Sequence, residues 1–343
     1  MKVRLKDVAA RAGVAINTAS TILNRRPNSW ASKATEQRVF VAAEELGYKP
    51  NRAAVALRSG RFNSIALLLP DLHNPFYCAF ADLLEREAEK HRYDTLIESW
   101  RMDLERERHC LGDIMDREVD GVAALLSDHA SHREFLADQF KRGRPFVALS
   151  QVGGAALPVD SVLADFTGGL RDALTALWEL GHRRFGFICA LASGQCDIQR
   201  QKLFRGMLTD RGLGSDGYQF VRCDHTSEGA YQAAMQLLRG NLNRPTAIIA
   251  MNDLAAIATM RAATELGISI PKDLSLVGVD DIPMASYLPV SLTSIAQPML
   301  QMAERTCALL FDRIENPTKA HIEQAVFPTT FIPRESIGRA PSR

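Results

Sequence analysis

The 343-residue chain lacks several features that would assign it quickly. No apolar run approaches the ~20 residues that a membrane-spanning helix needs, so no membrane partner is expected. The six cysteines, Cys78, Cys110, Cys189, Cys196, Cys223 and Cys307, are scattered, and no two form a C-x-x-C pair. That spacing argues against a zinc site or disulfide framework and for buried free thiols. The start, Met1-Lys2-Val3-Arg4-Leu5-Lys6, is basic, but no apolar signal core follows, which predicts a cytoplasmic location. There is no Ser-His-Asp order, Walker loop, supported carboxylate pair or metal cluster. Gly153-Gly154 and Gly168-Gly169 lack the strand–GxGxxG–helix setting of a nucleotide site. His182, alone in a Leu-Gly-His-Arg-Arg turn, reads as structural. The expectation is a protein that is not an enzyme and that carries no cofactor or metal.

What is present is a charge asymmetry. Residues 1–61 hold twelve Lys/Arg and four Asp/Glu, a net of +8, and the remaining 29 basic and 36 acidic residues give −7. The formal net charge of +1 thus conceals a basic head on a mildly acidic body. Such a head suits a polyanion. The length fits a small domain plus a larger body, and 46% hydrophobic with 24% charged residues is the composition of a globular protein.

Within the head, Leu5, Val8, Ala9 and Ala12 fall on one helical face, and Gly13 stops the helix in a tight turn. A second short helix places Ile16, Ala19, Ile22 and Leu23 at buried or groove-edge positions. A third starts near Ser32, a good N-cap, and runs through Val39, Ala42, Ala43 and Leu46 to Gly47. Helix, short turn, helix is the helix-turn-helix plan, whose second helix enters the major groove. A helical hairpin with a solvated basic face is the alternative.

The segments Leu5-Lys6-Asp7-Val8-Ala9, Ala12-Gly13-Val14, Thr18-Ala19-Ser20, Ile22-Leu23-Asn24 and Glu44 through Ala54 resemble the head of the lactose/galactose repressor family. The resemblance continues to about residue 335. It implies that Ile16, Asn17 and Thr21 read bases and that Thr18, Ser20 and Asn24 touch phosphates. Asn can bond adenine bidentately, and Ile can pack on a thymine methyl. Thr21 stands where many members have a guanine-reading Arg, and it is too short to form that fork. Ala15 stands where a capping Ser is usual and can supply neither cap nor phosphate contact through its side chain. The link after Asn24 is about two residues longer than usual, and its Arg25 and Arg26 add phosphate contacts or are simply solvated.

Residues 51–61 resemble the family's hinge helix. Asn51 is an N-cap, Arg52 follows it, small Ala54 permits close approach, and Leu57 would wedge into the minor groove at the central base step. An ordinary linker helix with Leu57 in a core is the alternative. So short a helix is marginal alone, so its folding can couple to DNA binding.

Beyond Gly60, short apolar runs alternate with amphipathic stretches. Strand candidates are 64–69, 95–99, 121–126, 146–149, 184–190, 218–223, 247–251 and 275–279, with helices between them. Strand–helix alternation means parallel sheets with right-handed crossovers. The series splits near residue 162 into two similar halves that enclose a cleft. The fold class is therefore α/β: an all-α helix-turn-helix head on a two-lobed body similar to periplasmic sugar-binding proteins. Expected limits are 1–50 for the head, 51–61 for the hinge, 62–162 plus about 293–322 for the first lobe, and 163–292 plus about 323–338 for the second.

The motifs Leu69-Pro70-Asp71 with Asn74-Pro75-Phe76, Val119-Asp120-Gly121, Asn252-Asp253 and Val279-Asp280-Asp281 carry the same resemblance. It implies that Asn252 and Asp280 bind effector and that Asp165 and His225 line the cleft, with Phe76 or Tyr77 as an apolar face for a sugar ring. Asp165 reads equally as a helix cap. An effector-binding Arg of the family falls at Leu203 here, and Arg200, one turn earlier, either replaces it or lies on the surface. The implied function is a transcriptional repressor that binds double-stranded operator DNA as a homodimer and responds to a small-molecule effector, a sugar or sugar acid. The absence of leucine heptads after Ser336 favours a dimer over a tetramer. A cytoplasmic solute-binding module and a sugar-acting α/β enzyme are the alternatives.

Overall fold

A computed structural model describes residues 3–23, 31–48, 60–127, 131–153, 156–190, 195–239 and 244–342. The candidates Asn24, Asn51, Arg52, Ala54 and Leu57 lie outside the described residues. The chain divides into two compact units, Met1–Asn63 and Ser64–Arg343.

The smaller unit contains α1 (Leu5–Ala12), α2 (Ile16–Leu23) and α3 (Lys33–Glu45). The Arg4 backbone N–H donates to Asp7 Oδ2 at 2.8 Å and secures the start of α1. The helix ends at Gly13, where φ is 66°, a left-handed conformation that favours glycine. Only Val14 and Ala15 then separate Gly13 from α2. Ser32 Oγ accepts from the Thr35 N–H at 3.3 Å and caps α3. Val8, Ala9, Ala12, Ala19, Ile22, Val39, Ala42 and Ala43 form the core, and its many alanines let the helices approach closely. Ile16 stands clear of this core with 52% of its surface exposed.

The larger unit is built on two sheets. The first contains β1 (Ser64–Leu69), β2 (Asp94–Ser99), β3 (Gly121–Leu125), β4 (Phe146–Gln151), β5 (Asp160–Asp165) and β11 (Gln324–Pro328), in the order β11-β5-β4-β3-β1-β2. All its pairings are parallel. The second contains β6 (Phe185–Ala190), β7 (Tyr218–Cys223), β8 (Ala247–Ala250), β9 (Ser275–Asp280), β10 (Thr293–Ala296) and β12 (Thr330–Ile332), in the order β12-β10-β9-β8-β6-β7. Only the β10–β12 pairing is antiparallel.

Helices α4 (Pro75–Lys90), α5 (Leu104–Met115), α6 (Arg133–Lys141) and α11 (Met299–Glu315) pack on the first sheet. Helices α7 (Thr167–Glu179), α8 (Gln195–Thr209), α9 (Ser227–Leu238) and α10 (Asp253–Glu265) pack on the second. Coverage of both faces explains the unbroken apolar run Ile65-Ala66-Leu67-Leu68-Leu69, which is wholly buried. Each of its larger side chains stabilises the fold by about 1.5–3 kcal/mol.

The lobe limits differ from the sequence expectation at three points. A split near residue 162 falls inside β5, which pairs with β4 and β11, so the first lobe runs to Asp165. Thr293–Ala296 belongs to the second lobe as β10, not to the first, and Gln324–Pro328 belongs to the first as β11, not to the second. Chemistry hides these strands from an apolar pattern. β5 opens with the buried carboxylate of Asp160, which Arg313 grips through Nε at 2.5 Å and Nη2 at 3.0 Å. β11 is an edge strand of alternating exposure that ends in Pro328. α11 returns to the first lobe as expected. The chain therefore crosses between lobes after β5, β10 and β11.

His182 is structural. Its buried ring lies 2.9 Å from Thr246 Oγ1 through Nδ1 and 3.0 Å from the Gly338 carbonyl through Nε2. Burial pushes its pKa down. The neutral ring thus ties the carboxyl-terminal segment to the second lobe.

Candidate functional site

In the head, Ile16 and Asn17 are exposed in the first turn of α2, and Thr18 is half-buried beside them. That turn is the end a recognition helix offers to base edges. Ala15 precedes it, and its carbonyl accepts the Ala19 N–H at 3.0 Å. The Thr21 hydroxyl donates to the Asn17 carbonyl at 2.9 Å, so it is turned back onto its own helix. Ser20 does not fit a phosphate contact: it is 5% exposed, on the face of α2 that joins the head's interior.

In the body, both sheets run in the doubly wound sense, and the carboxyl ends of their strands meet at a cavity between the lobes. It encloses about 110 Å³, several times the ~10–15 Å³ one water needs on the same measure. Phe76 and Tyr77 line it from the first lobe, and Arg200, His225, Asn252 and Asp280 from the second. Arg200 Nη1 donates to the Met251 carbonyl at 3.0 Å, which holds the guanidinium at the wall. Leu203, one turn on, is absent from that wall. Asp165 is absent too. Its Oδ1 accepts the Thr167 N–H at 2.9 Å, and its carbonyl accepts from Thr329 N–H and Oγ1 at 2.9 and 3.0 Å. The Asp165 carboxylate is thus engaged by the backbone just ahead of α7, whose N-cap position is Phe166 and has no side-chain cap.

Local structure dictates what each side chain can offer. Asn252 caps α10: its Oδ1 accepts the Ala255 N–H at 2.8 Å, which leaves the Nδ2 hydrogens for a ligand. Asp280 ends β9 with φ at 102°, and Asp281 follows at 55°. Such conformations cost about 1–3 kcal/mol each and tend to collect at functional sites. Gln297 Nε2 donates to Asp280 Oδ1 at 2.8 Å. Burial, then the neighbouring Asp253 carboxylate, pushes the Asp280 carboxyl up to about 8, against the Gln297 bond, the Arg200 charge and a bond from Asn74.

Asn74, Asp253 and Gln297 received no role from the sequence. Asp253 is wholly buried behind Asp280. It accepts the Ser294 hydroxyl at 2.6 Å and the Ile282 N–H at 2.7 Å. Burial raises its carboxyl to about 7. Gly278 makes room for it, since a Cβ there would lie 2.0 Å from Asp253 Oδ1. The signal available in sequence was a Gly two residues before Asp280 and an acid directly after Asn252. Asn74 Oδ1 accepts the Phe76 N–H at 3.0 Å and caps α4, which sets Phe76 at the cavity wall. Phe76 inserts into the apolar cluster of the second lobe. Both lobes are therefore in contact at the cavity.

A three-helix head with an exposed second-helix start, joined to a two-lobed body around a polar cavity, defines a DNA-binding regulator with a ligand-responsive body. The comparisons agree. Residues 4–51 match the description "Bacterial regulatory proteins, lacI family", and residues 174–337 match "Periplasmic binding protein-like domain". The HTH-type transcriptional regulator DegA of Bacillus subtilis is 34% identical over 311 residues, 89% of this chain and 90% of that protein. The catabolite control protein A of Priestia megaterium is 27% identical over 90% of this chain and 92% of its own. The Lac repressor dimer bound to operator and the anti-inducer ONPF shares the fold, with a TM-score of 0.84 over 98% of this chain and 99% of that one at 23% identity. A LacI family regulator from Enterococcus faecium with bound ribose has a TM-score of 0.70 at 28% identity, over 80% of this chain and 99% of that one.

The chain belongs to the lacI family of bacterial regulatory proteins. It is a DNA-binding transcriptional regulator with an effector-binding body, and its relatives are regulators, not enzymes.

Proposed function

We propose that this chain represses transcription as a homodimer on a pseudo-palindromic operator, under control of a sugar or sugar acid bound between the lobes. The reading rests on one observation above others: Phe76 of the first lobe enters the apolar core of the second and lines the same cavity as Asp280. A ligand there touches both lobes. It changes DNA affinity to the extent that it binds their arrangements unequally. Asn252, Asp280 and Arg200 supply donors and acceptors for hydroxyls or a carboxylate, and Phe76 and Tyr77 supply an apolar wall. The structural relatives described with bound ribose and with cellobiose fit that chemistry.

In the head, Ile16, Asn17 and Thr21 read bases, and Thr18 and Asn24 contact phosphates. Asn51, Arg52, Ala54 and Leu57 form a hinge that docks in the minor groove. Two-fold pairing of subunits sets the half-site spacing. Tyr287 and Met284, 86% and 55% exposed on one short turn, suit a subunit contact.

A thermal-shift screen of sugars and sugar acids, followed by operator binding with each hit, tests the proposal. A hit should raise the melting temperature of the parent, shift its operator affinity, and do neither in Asp280→Ala, which should still bind operator. A ligand that stabilises the protein and leaves operator affinity unchanged would refute effector control.

A further inference from the structure

A second cavity lies outside the cleft, on the surface between α7 and α8. It is an open depression of about 450 Å³. Helical spacing builds it. Thr167 and Arg171 are one turn apart on α7, and Lys202, Leu203, Gly206, Met207 and Asp210 follow a single stripe of α8 and the residue after it. Gly206 leaves the space open, since a Cβ there would meet nothing within 4 Å. Leu203 and Met207 give an apolar floor.

The walls are cationic. Arg171, Lys202 and Arg211 face one acid, Asp210. Arg211 is braced: Nη1 donates to the Met207 carbonyl at 2.9 Å and Nη2 to Thr175 Oγ1 at 2.8 Å. This fixes a guanidinium across the gap between the helices. Arg171 and Lys202 are exposed and form no salt bridge among the described residues. The groove thus gathers three cations around one carboxylate, and an anion bound among them would balance the excess positive charge. A guanidinium and an ammonium are also the groups that best bind multiply charged oxyanions.

We infer that the groove between α7 and α8 is a second ligand site, specific for a small polyanion carrying a phosphate or clustered carboxylates. Its place gives such a ligand leverage. α7 begins directly after the β5 crossing between lobes. Gln199, on the rim, packs against Gly153 of the first lobe, where an added Cβ would lie 2.4 Å from its Cγ. Occupancy would brace the crossing from outside while the cleft effector acts from inside.

Calorimetric titration of the full chain with inorganic phosphate and with citrate, at constant ionic strength, tests the site. Saturable binding of at least one of them is expected in the parent. It should persist in Asp280→Ala, whose cleft is disabled, and weaken at least tenfold in Arg171→Gln and in Lys202→Gln. Binding of phosphate alone identifies a phosphate ester as the natural ligand class, and binding of citrate alone a polycarboxylate. Both variants should melt within a degree or two of the parent without anion. No saturable binding of either anion, equal binding in the variants, or loss in Asp280→Ala would overturn the inference.

Discussion

Replacing Asp253 by Asn should stabilise the body at alkaline pH and destabilise it at acid pH. The Asp253 carboxyl rises from its ordinary 3.8 to about 7 on folding, chiefly through burial. For a raised carboxyl, its contribution is fully present below pH 3.8 and is lost as pH climbs toward 7. The loss is about 1.4 kcal/mol per pH unit, so on the order of 4 kcal/mol in all. The amide of the Asp253→Asn variant carries no charge and escapes that loss. It can still accept the Ile282 N–H, but its Nδ2 would face the Ser294 hydroxyl, which loses its acceptor at a cost of about 1–3 kcal/mol. The variant should therefore be less stable by about 1–3 kcal/mol near pH 4 and more stable by a similar amount at pH 8. Urea unfolding of both proteins at unit steps of pH measures this. The two stability curves should cross. Parallel curves would mean that Asp253 is not held above its ordinary range, and the electrostatic account of the cavity wall would fall with it.

Three further outcomes are expected. Arg313→Met should cost about 3–5 kcal/mol by leaving the buried Asp160 carboxylate unpaired; pairing it with Asp160→Leu should recover most of this in denaturant unfolding, and a loss no larger than that of an exposed ion pair would refute the clasp. Ala15→Ser should raise head stability by about 0.5–2 kcal/mol, because the alanine before α2 has no side-chain acceptor to cap it; unchanged melting of the isolated 1–63 unit, which has its own core, would count against it. Changing Asn17 should redirect operator preference by about 1–3 kcal/mol at one base pair per half-site, and an unaltered preference across a randomised site library would remove Asn17 from the reading set.

The periodic parts of the chain were legible in sequence. Val8, Ala9 and Ala12 sit in the head core where their spacing puts them, and the run Ile65–Leu69 is a buried strand. Phe76, Tyr77, Asn252 and Asp280 came from motif resemblance, and they meet at the cavity because each lies at or just after the carboxyl end of a parallel strand. Ser20 misled because a short polar residue inside a three-helix head can be buried beside Ala19, and spacing alone does not separate the inner face of an eight-residue helix from its outer one.

The basic head and the strand–helix alternation were readable from the chain alone, because they depend on local periodicity, composition and charge, which neighbouring residues encode. The class of protein came from motifs that resemble the lactose/galactose repressor family. The rest came from tertiary packing. It assigned β10 and β11 to their lobes, because strand pairing is decided across intervening helices and loops: β11 joins β5, more than a hundred positions earlier, and β10 joins β9. It turned Asp165 onto the Thr167 backbone and Arg200 into a cavity wall, because these depend on which face of an element meets another. It placed Asp253 behind Asp280, where burial changes the charge that either can carry.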